Sequence, residues 1–287
     1  MNRLRTFLDM VRFEHTIFAL PFAYVGMFLA ANGLPTLWDF AWITVAMAAA
    51  RTLAFAVNRL ADRHLDARNP RTANRPLVTG ALSVRAALGY AALALVVLLV
   101  AAALLDPLAV KLFPGALVFL IGYSYTKRFT VLAHWILGFT DGLAPVGAWV
   151  AVRGSAFAPG DLPAWFLLFA LTFWIGGFDL IYATQDFDFD VDEGLHAWPA
   201  RYGIASALRM AHASHVLTVL LLAGAGLAAG LGWPYWVGLA AVAALLAYEH
   251  SLVSPDDLSK VNVAFFNVNG IISIIIGAAT LAALLLG

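Results

Sequence analysis

The chain has 287 residues, 62% of them hydrophobic and 12% charged, with a mean hydropathy of +0.85 and a formal net charge of zero. Soluble domains carry about 25% charged residues, so the composition excludes an ordinary soluble protein and reads as a membrane protein, which the span-length apolar stretches below make all-α and polytopic. The absence of cysteine excludes disulfides, thiolate zinc sites and a cysteine nucleophile.

The first residues, M-N-R-L-R-T-F-L-D-M-V-R, have the mixed basic and apolar pattern of an amphipathic interfacial segment, followed by Glu14 and His15 at a membrane entry. A bilayer span takes about 20 predominantly apolar residues. Nine stretches meet or approach that length: 13–31, 37–57, 86–105, 112–125, 131–152, 162–184, 210–231, 233–248 and 261–286, with the fourth and eighth short for a straight span. Nothing outside them is long enough for a separate soluble domain, so residues 1–287 read as a single transmembrane domain. With the N-terminus inside, the inner connections hold fourteen of the seventeen Lys and Arg residues. The positive-inside rule then places the N-terminus and the polar loops in the cytoplasm, as in a bacterial inner membrane.

Arg51 lies in the second apolar stretch, seven residues before Asn58 and near the same helical face. An arginine within a span costs about 2.5–3.5 kcal/mol on insertion scales. It either reaches an anionic ligand from below or snorkels to the inner interface.

The most polar stretch comes at once: N-R-L-A-D-R-H-L-D-A-R-N-P-R-T-A-N-R-P-L over 58–77. Asn58, Asp62 and Asp66 are spaced i, i+4, i+8, which aligns three oxygen-bearing side chains on one helical face. Arg68, Arg71 and Arg75 lie beyond them in a segment broken by Pro70 and Pro76. Carboxylates interleaved with arginines fit a metal–phosphate site, with Asp holding Mg²⁺ and Arg reading phosphate oxygens bidentately. Lys127 and Arg128 end the fourth stretch on the same side, and taken alone are ordinary positive-inside residues. Asp141, among Gly138, Gly142, Pro145 and Gly147, serves either a structural hydrogen bond or a pocket wall.

A second acidic run, Q-D-F-D-F-D-V-D-E over 185–193, succeeds the sixth stretch, so it emerges on the same side as the first. Asp186 and Asp190 repeat the i, i+4 spacing, and Asp179 and Tyr182 share the face of Asp186. An EF-hand needs Gly at its sixth position and Glu at its twelfth; Val191 and Ala197 stand there instead. His212 and His215 lack metal-ligand partners in sequence and read as bundle residues, whereas Asn262, Asn267 and Asn269 fit either helix–helix contact or pocket lining.

Two carboxylate faces and a basic cluster above apolar helices call for a ligand with a diphosphate head and a hydrocarbon tail. Bound Mg²⁺ would neutralise the departing diphosphate and favour heterolysis of an allylic C–O bond. Asn58-x-x-x-Asp62-x-x-x-Asp66, the adjoining N-P-R-T-x-x-R-P-L, Tyr123-x-x-x-Lys127-Arg128 and Asp186-x-x-x-Asp190 resemble the UbiA superfamily of intramembrane aromatic prenyltransferases over nearly the whole chain. The resemblance implies that Asn58, Asp62, Asp66, Asp186 and Asp190 hold Mg²⁺ and a polyprenyl diphosphate. It further implies that Lys127, Arg128, Arg71 and Arg75 bind the phosphates, that Arg51 pairs with the carboxylate of an aromatic acceptor, and that Asp186 helps to remove the acceptor's proton. Within the superfamily, F-E-H-T-I-F-A-L-P-F-A-Y at 13–24, I-Y-A-T-Q-D at 181–186 and L-H-A-W-P-A-R-Y-G at 195–203 are most similar to the MqnP subgroup. That similarity implies 1,4-dihydroxy-6-naphthoate as acceptor in menaquinone synthesis, with 4-hydroxybenzoate, the ubiquinone precursor, as the near alternative. Nothing points to a nucleic-acid partner or to an obligate protein partner. A secondary transporter, the reading from another class, would place its charges nearer the midplane.

Overall fold

The computed structural model describes residues 16–286, and all regular structure within them is helical. The interfacial segment read over residues 1–12, with Glu14 and His15, lies outside the described residues. Nine long helices succeed one another: α1 (Thr16–Ala31), α2 (Leu37–Asp66), α3 (Val84–Leu105), α4 (Pro107–Thr126), α5 (Ala133–Arg153), α6 (Leu162–Ala183), α7 (Ile204–Ala228), α8 (Trp233–Ser251) and α9 (Asn269–Leu286). Their starts carry local signals. Thr36, Ser83 and Asp106 accept hydrogen bonds from the backbone N–H groups of Asp39, Ala86 and Leu108, supplying acceptors that the first turn lacks. Pro107 then occupies the first turn of α4, where its missing N–H is harmless.

Seven helical stretches among the described residues are long and apolar enough to cross a membrane: Leu37–Asp66, Val84–Leu105, Pro107–Thr126, Ala133–Arg153, Pro159–Asp192, Ile204–Ala228 and Val263–Leu286. The expected count of nine is therefore not reached on length and apolarity. The described part of α1 is short, and α8 is diluted by Trp233, Pro234, Tyr235 and Trp236 at one end and Tyr248, Glu249 and His250 at the other. The fourth stretch, short in sequence, is a full 20-residue helix because α4 begins at Pro107 rather than 112.

Consecutive helices from α2 to α9 pack side by side, and α1 closes the bundle by packing on α2, α5 and α9. The main core joins α1, α5, α6, α7, α8 and α9 around the fully buried Phe22, Trp149, Trp174 and Tyr235. A second core of small and branched residues, Ala49, Leu53, Ala56, Ala87, Ala91 and Leu98, holds α2 against α3. Glycine sets the closest approach: a Cβ on Gly138 of α5 would stand 2.2 Å from the carbonyl oxygen of Thr172 in α6, and one on Gly142 would stand 2.6 Å from that of Leu168. The two backbones thus touch, as small residues permit in membrane bundles.

Buried polar side chains are paired between helices. His215 of α7 hydrogen-bonds His250 of α8 at 2.9 Å and the carbonyl of Trp174 at 3.2 Å, as befits a bundle residue. Asn269 donates to Glu249 at 2.9 Å, so of its two readings it takes helix–helix contact. A π-helical stretch, Val263–Val268, precedes α9 and lays Phe265 on the ring of Tyr182, with centroids 4.2 Å apart.

Candidate active site

α2 carries the site's first wall. Its 30 residues extend about 45 Å at 1.5 Å per residue, against about 30 Å of hydrocarbon. The span read as ending at 57 therefore continues unbroken through Asn58, Asp62 and Asp66 to the turn before Pro70. The second wall is α6 with the two short helical segments beyond its C-terminus. Here the helix does not run on: a 3₁₀ turn, Thr184–Asp186, leads into a short helix, Phe187–Asp192. Asp186 and Asp190 still face one cavity, while Asp188 and Asp192 point to solvent.

That cavity, of about 300 Å³, is lined by Arg51, Asn58, Arg59, Asp62 and Asp66 of α2, by Asn69, Arg71 and Arg75 of the adjoining loop, and by Lys127 after α4. His134 and Asp141 of α5, Asp179 and Tyr182 of α6, and then Asp186 and Asp190 complete it. Arg128 lies outside this lining. It donates to Asp62 Oδ1 at 2.9 Å and to the carbonyl of Ala61 at 2.8 Å, with its guanidinium over the Tyr125 ring.

The charges meet each other. Asp62 accepts from Lys127 at 3.0 Å, from Arg128, and from Asn58 at 3.2 Å. Asp66 pairs with Arg75 at 2.5 Å. Asp186 takes Arg71 through both carboxylate oxygens and Asn69 at 2.8 Å, while Arg71 also donates to the Tyr182 hydroxyl at 2.9 Å. Burial opposes the charge of Arg71, but its bonds to Asp186 and Tyr182 outweigh that and hold its pKa above the ordinary arginine value. The sequence assigns carboxylates to metal and arginines to phosphate; in this structure three of the four site aspartates are paired with those same bases. Opposite charges at a partly buried surface attract strongly enough to close on one another. Accordingly, no group of three or more His, Asp or Glu among the described residues stands ready to chelate a metal. The donor set is nevertheless all oxygen, which suits a hard cation such as Mg²⁺.

Deeper in, Arg51, Phe55, Tyr123, Leu137 and Asp141 also line a second, almost wholly apolar chamber of about 400 Å³. It continues between α3, α4 and α5 past Leu98, Leu105, Leu112 and Phe119. Asp141 thus takes the pocket-wall reading, and Arg51 sits where the charged cavity meets the apolar chamber.

Among the lining Asp, Arg, Lys, His and Asn residues, four carried no role from sequence. Arg59 and Asn69 stood inside the recognised polar stretch without a distinguishing mark. The pair His134–Asp179, at 2.7 Å between α5 and α6, left only the weak signal that Asp179 shares a helical face with Asp186.

A charged cavity that shares a wall with an apolar chamber in a helical membrane protein suits a ligand with an anionic head and an apolar tail. The pattern of the UbiA prenyltransferase family matches residues 19–271, and the chain belongs to that family of membrane prenyltransferases. It is 32% identical over 278 residues to the 4-hydroxybenzoate octaprenyltransferase of Cupriavidus necator, covering 94% of each chain. It is 31% identical to the 4-hydroxybenzoate octaprenyltransferase of Xanthomonas euvesicatoria, covering 98% of this chain and 93% of the relative. Among solved structures, the apo form of a UbiA homolog from Aeropyrum pernix K1 superposes with a TM-score of 0.85 at 37% identity, over 93% of this chain and 96% of that one. A UbiA homolog from Archaeoglobus fulgidus bound to GPP and Mg²⁺ shares the fold, with a TM-score of 0.72 at 23% identity over 97% and 99% of the two chains. The menaquinone acceptor expected from the MqnP-like stretches finds no support in these relatives, which are named for 4-hydroxybenzoate.

Proposed function

We propose that the chain transfers a polyprenyl group from a polyprenyl diphosphate to an aromatic carboxylate acceptor in quinone synthesis. 4-Hydroxybenzoate is the acceptor the relatives favour over 1,4-dihydroxy-6-naphthoate. The observation that carries the reading is the junction at Arg51. One arginine stands between a cavity of aspartates and bases, suited to diphosphate, and an apolar chamber suited to an isoprenoid chain.

The charge pairs supply the binding logic. Asp62, Asp66 and Asp186, with Asp190 and Asn58, would hold Mg²⁺ once they part from their bases. Lys127, Arg71 and Arg75 would then turn to the phosphate oxygens, with Arg128 moving along with Asp62. Bound Mg²⁺ supplies charge neutralisation of the leaving diphosphate. The protein's own residues do the rest. The arginines fix the diphosphate bidentately, the chamber keeps water from the allylic carbon, and Arg51 orients the acceptor through its carboxylate. The whole chain acts as one domain in a bacterial inner membrane, with the cavity on the cytoplasmic side where its basic residues gather.

The test is diphosphate release and prenylated product, tracked by mass, from purified protein with Mg²⁺ and a polyprenyl diphosphate. Parallel reactions contain 4-hydroxybenzoate, 1,4-dihydroxy-6-naphthoate or no acceptor. Product with 4-hydroxybenzoate is expected. Product with the naphthoate alone overturns the acceptor, and silence from folded protein in every reaction overturns the transfer.

A further inference from the structure

Prenylation of a phenolic ring ends with a proton leaving the carbon that was attacked, and some base must take it. Asp186, expected in that role, has both oxygens engaged by Arg71 and one also by Asn69. Asp62 is likewise held at both oxygens, and Asp66 by Arg75. Asp141 shares its wall with Arg51, and Asp190, unpaired among the described residues, lies farther out than Asp186 on the short helix Phe187–Asp192, among the residues that would hold Mg²⁺. Asp179 is placed differently. It lies seven residues before Asp186, about 10 Å deeper along α6 at 1.5 Å per residue, as Arg51 lies seven residues before Asn58 on α2.

Asp179 lines the cavity and keeps 25% of its side chain exposed there. Its Oδ2 is 2.7 Å from His134 Nδ1. The other ring nitrogen, His134 Nε2, accepts the backbone N–H of Trp198 at 3.1 Å. An Nε2 that accepts carries no proton, so in the neutral ring the proton is on Nδ1 and is donated to Asp179. The buried imidazole is locked in this tautomer and cannot carry a proton onward. Among the described residues, no hydrogen bond reaches Asp179 Oδ1.

We propose that Asp179 Oδ1 is the base that restores aromaticity, with His134 as the residue that positions it. The inference rests on the transfer reading above. In the step, the allylic C1–O bond breaks with its electron pair going to diphosphate, and a ring π pair ortho to the hydroxyl forms the new C–C bond. The C–H bond at that carbon then breaks, its pair returns to the ring, and the proton passes to Asp179.

The experiment compares wild type, Asp179→Asn, His134→Ala and His134→Asn with a polyprenyl diphosphate, Mg²⁺ and 4-hydroxybenzoate, ordinary or deuterated ortho to its hydroxyl. General bases contribute about 10²–10⁴-fold, so Asp179→Asn should lose aromatic product by that order with an unchanged KM for the diphosphate. Diphosphate release should now exceed aromatic product, with prenyl alcohol making up the difference, and an isotope effect absent from wild type should appear. His134→Ala should move toward the same behaviour, and His134→Asn, whose amide nitrogen can stand in for Nδ1, should recover part of the loss. Near-normal turnover by Asp179→Asn overturns the assignment, as does an equal loss of diphosphate release and product with no isotope effect. Failure of wild type to prenylate any acceptor overturns the transfer reading and this inference with it.

Discussion

Asp62 joins three polar side chains from two parts of the chain, and the effect of removing it comes from that position. Asp62→Ala leaves Lys127 and Arg128 facing each other without their shared carboxylate, and Asp186→Ala releases Arg71 and Asn69. Both variants should still yield a folded membrane protein, because these contacts lie at one end of the bundle and not in its core. Both should lose turnover in the diphosphate-release assay; near-normal activity in either would sink the site assignment. Arg51→Ala should raise the KM for acceptor at least several-fold while leaving the KM for diphosphate nearly unchanged, and equal changes in both would remove it from acceptor binding. The aspartates were legible in sequence because carboxylates at helical spacing stand out against an apolar background. Their pairing with bases from elsewhere in the chain was not. Arg71 meets Asp186 across 115 residues and His134 meets Asp179 across 45, distances over which no local pattern links one residue to another.

At the scale of the helix, the approach of α5 to α6 is set by Gly138 and Gly142. Gly138→Ala forces a methyl to within 2.2 Å of a backbone oxygen, and overpacking of this kind costs about 1–3 kcal/mol. Its unfolding midpoint in detergent should fall by several degrees. Gly147→Ala on the same helix, where a Cβ meets nothing within 4 Å, should leave the midpoint nearly unchanged; equal midpoints for the two variants would refute the contact. Helix existence and order were readable from hydropathy, because long apolar runs separated by Pro, Gly and charge leave little choice. Helix ends were less so. The polar face at 58–66 looked like the end of a span, yet no residue there breaks a helix, and α2 runs on. After α6, read as a span to 184, the helix gives way to a 3₁₀ turn at Thr184–Asp186, although Asp179, Tyr182 and Asp186 are spaced as on one helical face.

For the whole molecule, the paired charges would make binding of the proposed ligands an exchange of partners. Mg²⁺ alone would have to pull carboxylates from their bases and leave those bases unpaired, and a prenyl diphosphate alone would do the reverse. Together they would satisfy both sets. Thermal stability in detergent should therefore rise little with either alone and markedly with both, as ligand linkage requires. An equal rise with Mg²⁺ alone would contradict the exchange. Chelation of the metal should abolish turnover, and added Mg²⁺ should restore it. The length of α2 carries a last consequence. Arg51 and Asp62 sit eleven residues apart on one uninterrupted rod, so the side chains proposed for acceptor and for metal are held in a common phase. One alanine inserted after Phe55 would turn Arg51 by about 100° relative to Asp62 and take it off the face it shares with the carboxylates. Substitutions can retune either end of this ruler separately, but insertions and deletions between its marks break both readings at once.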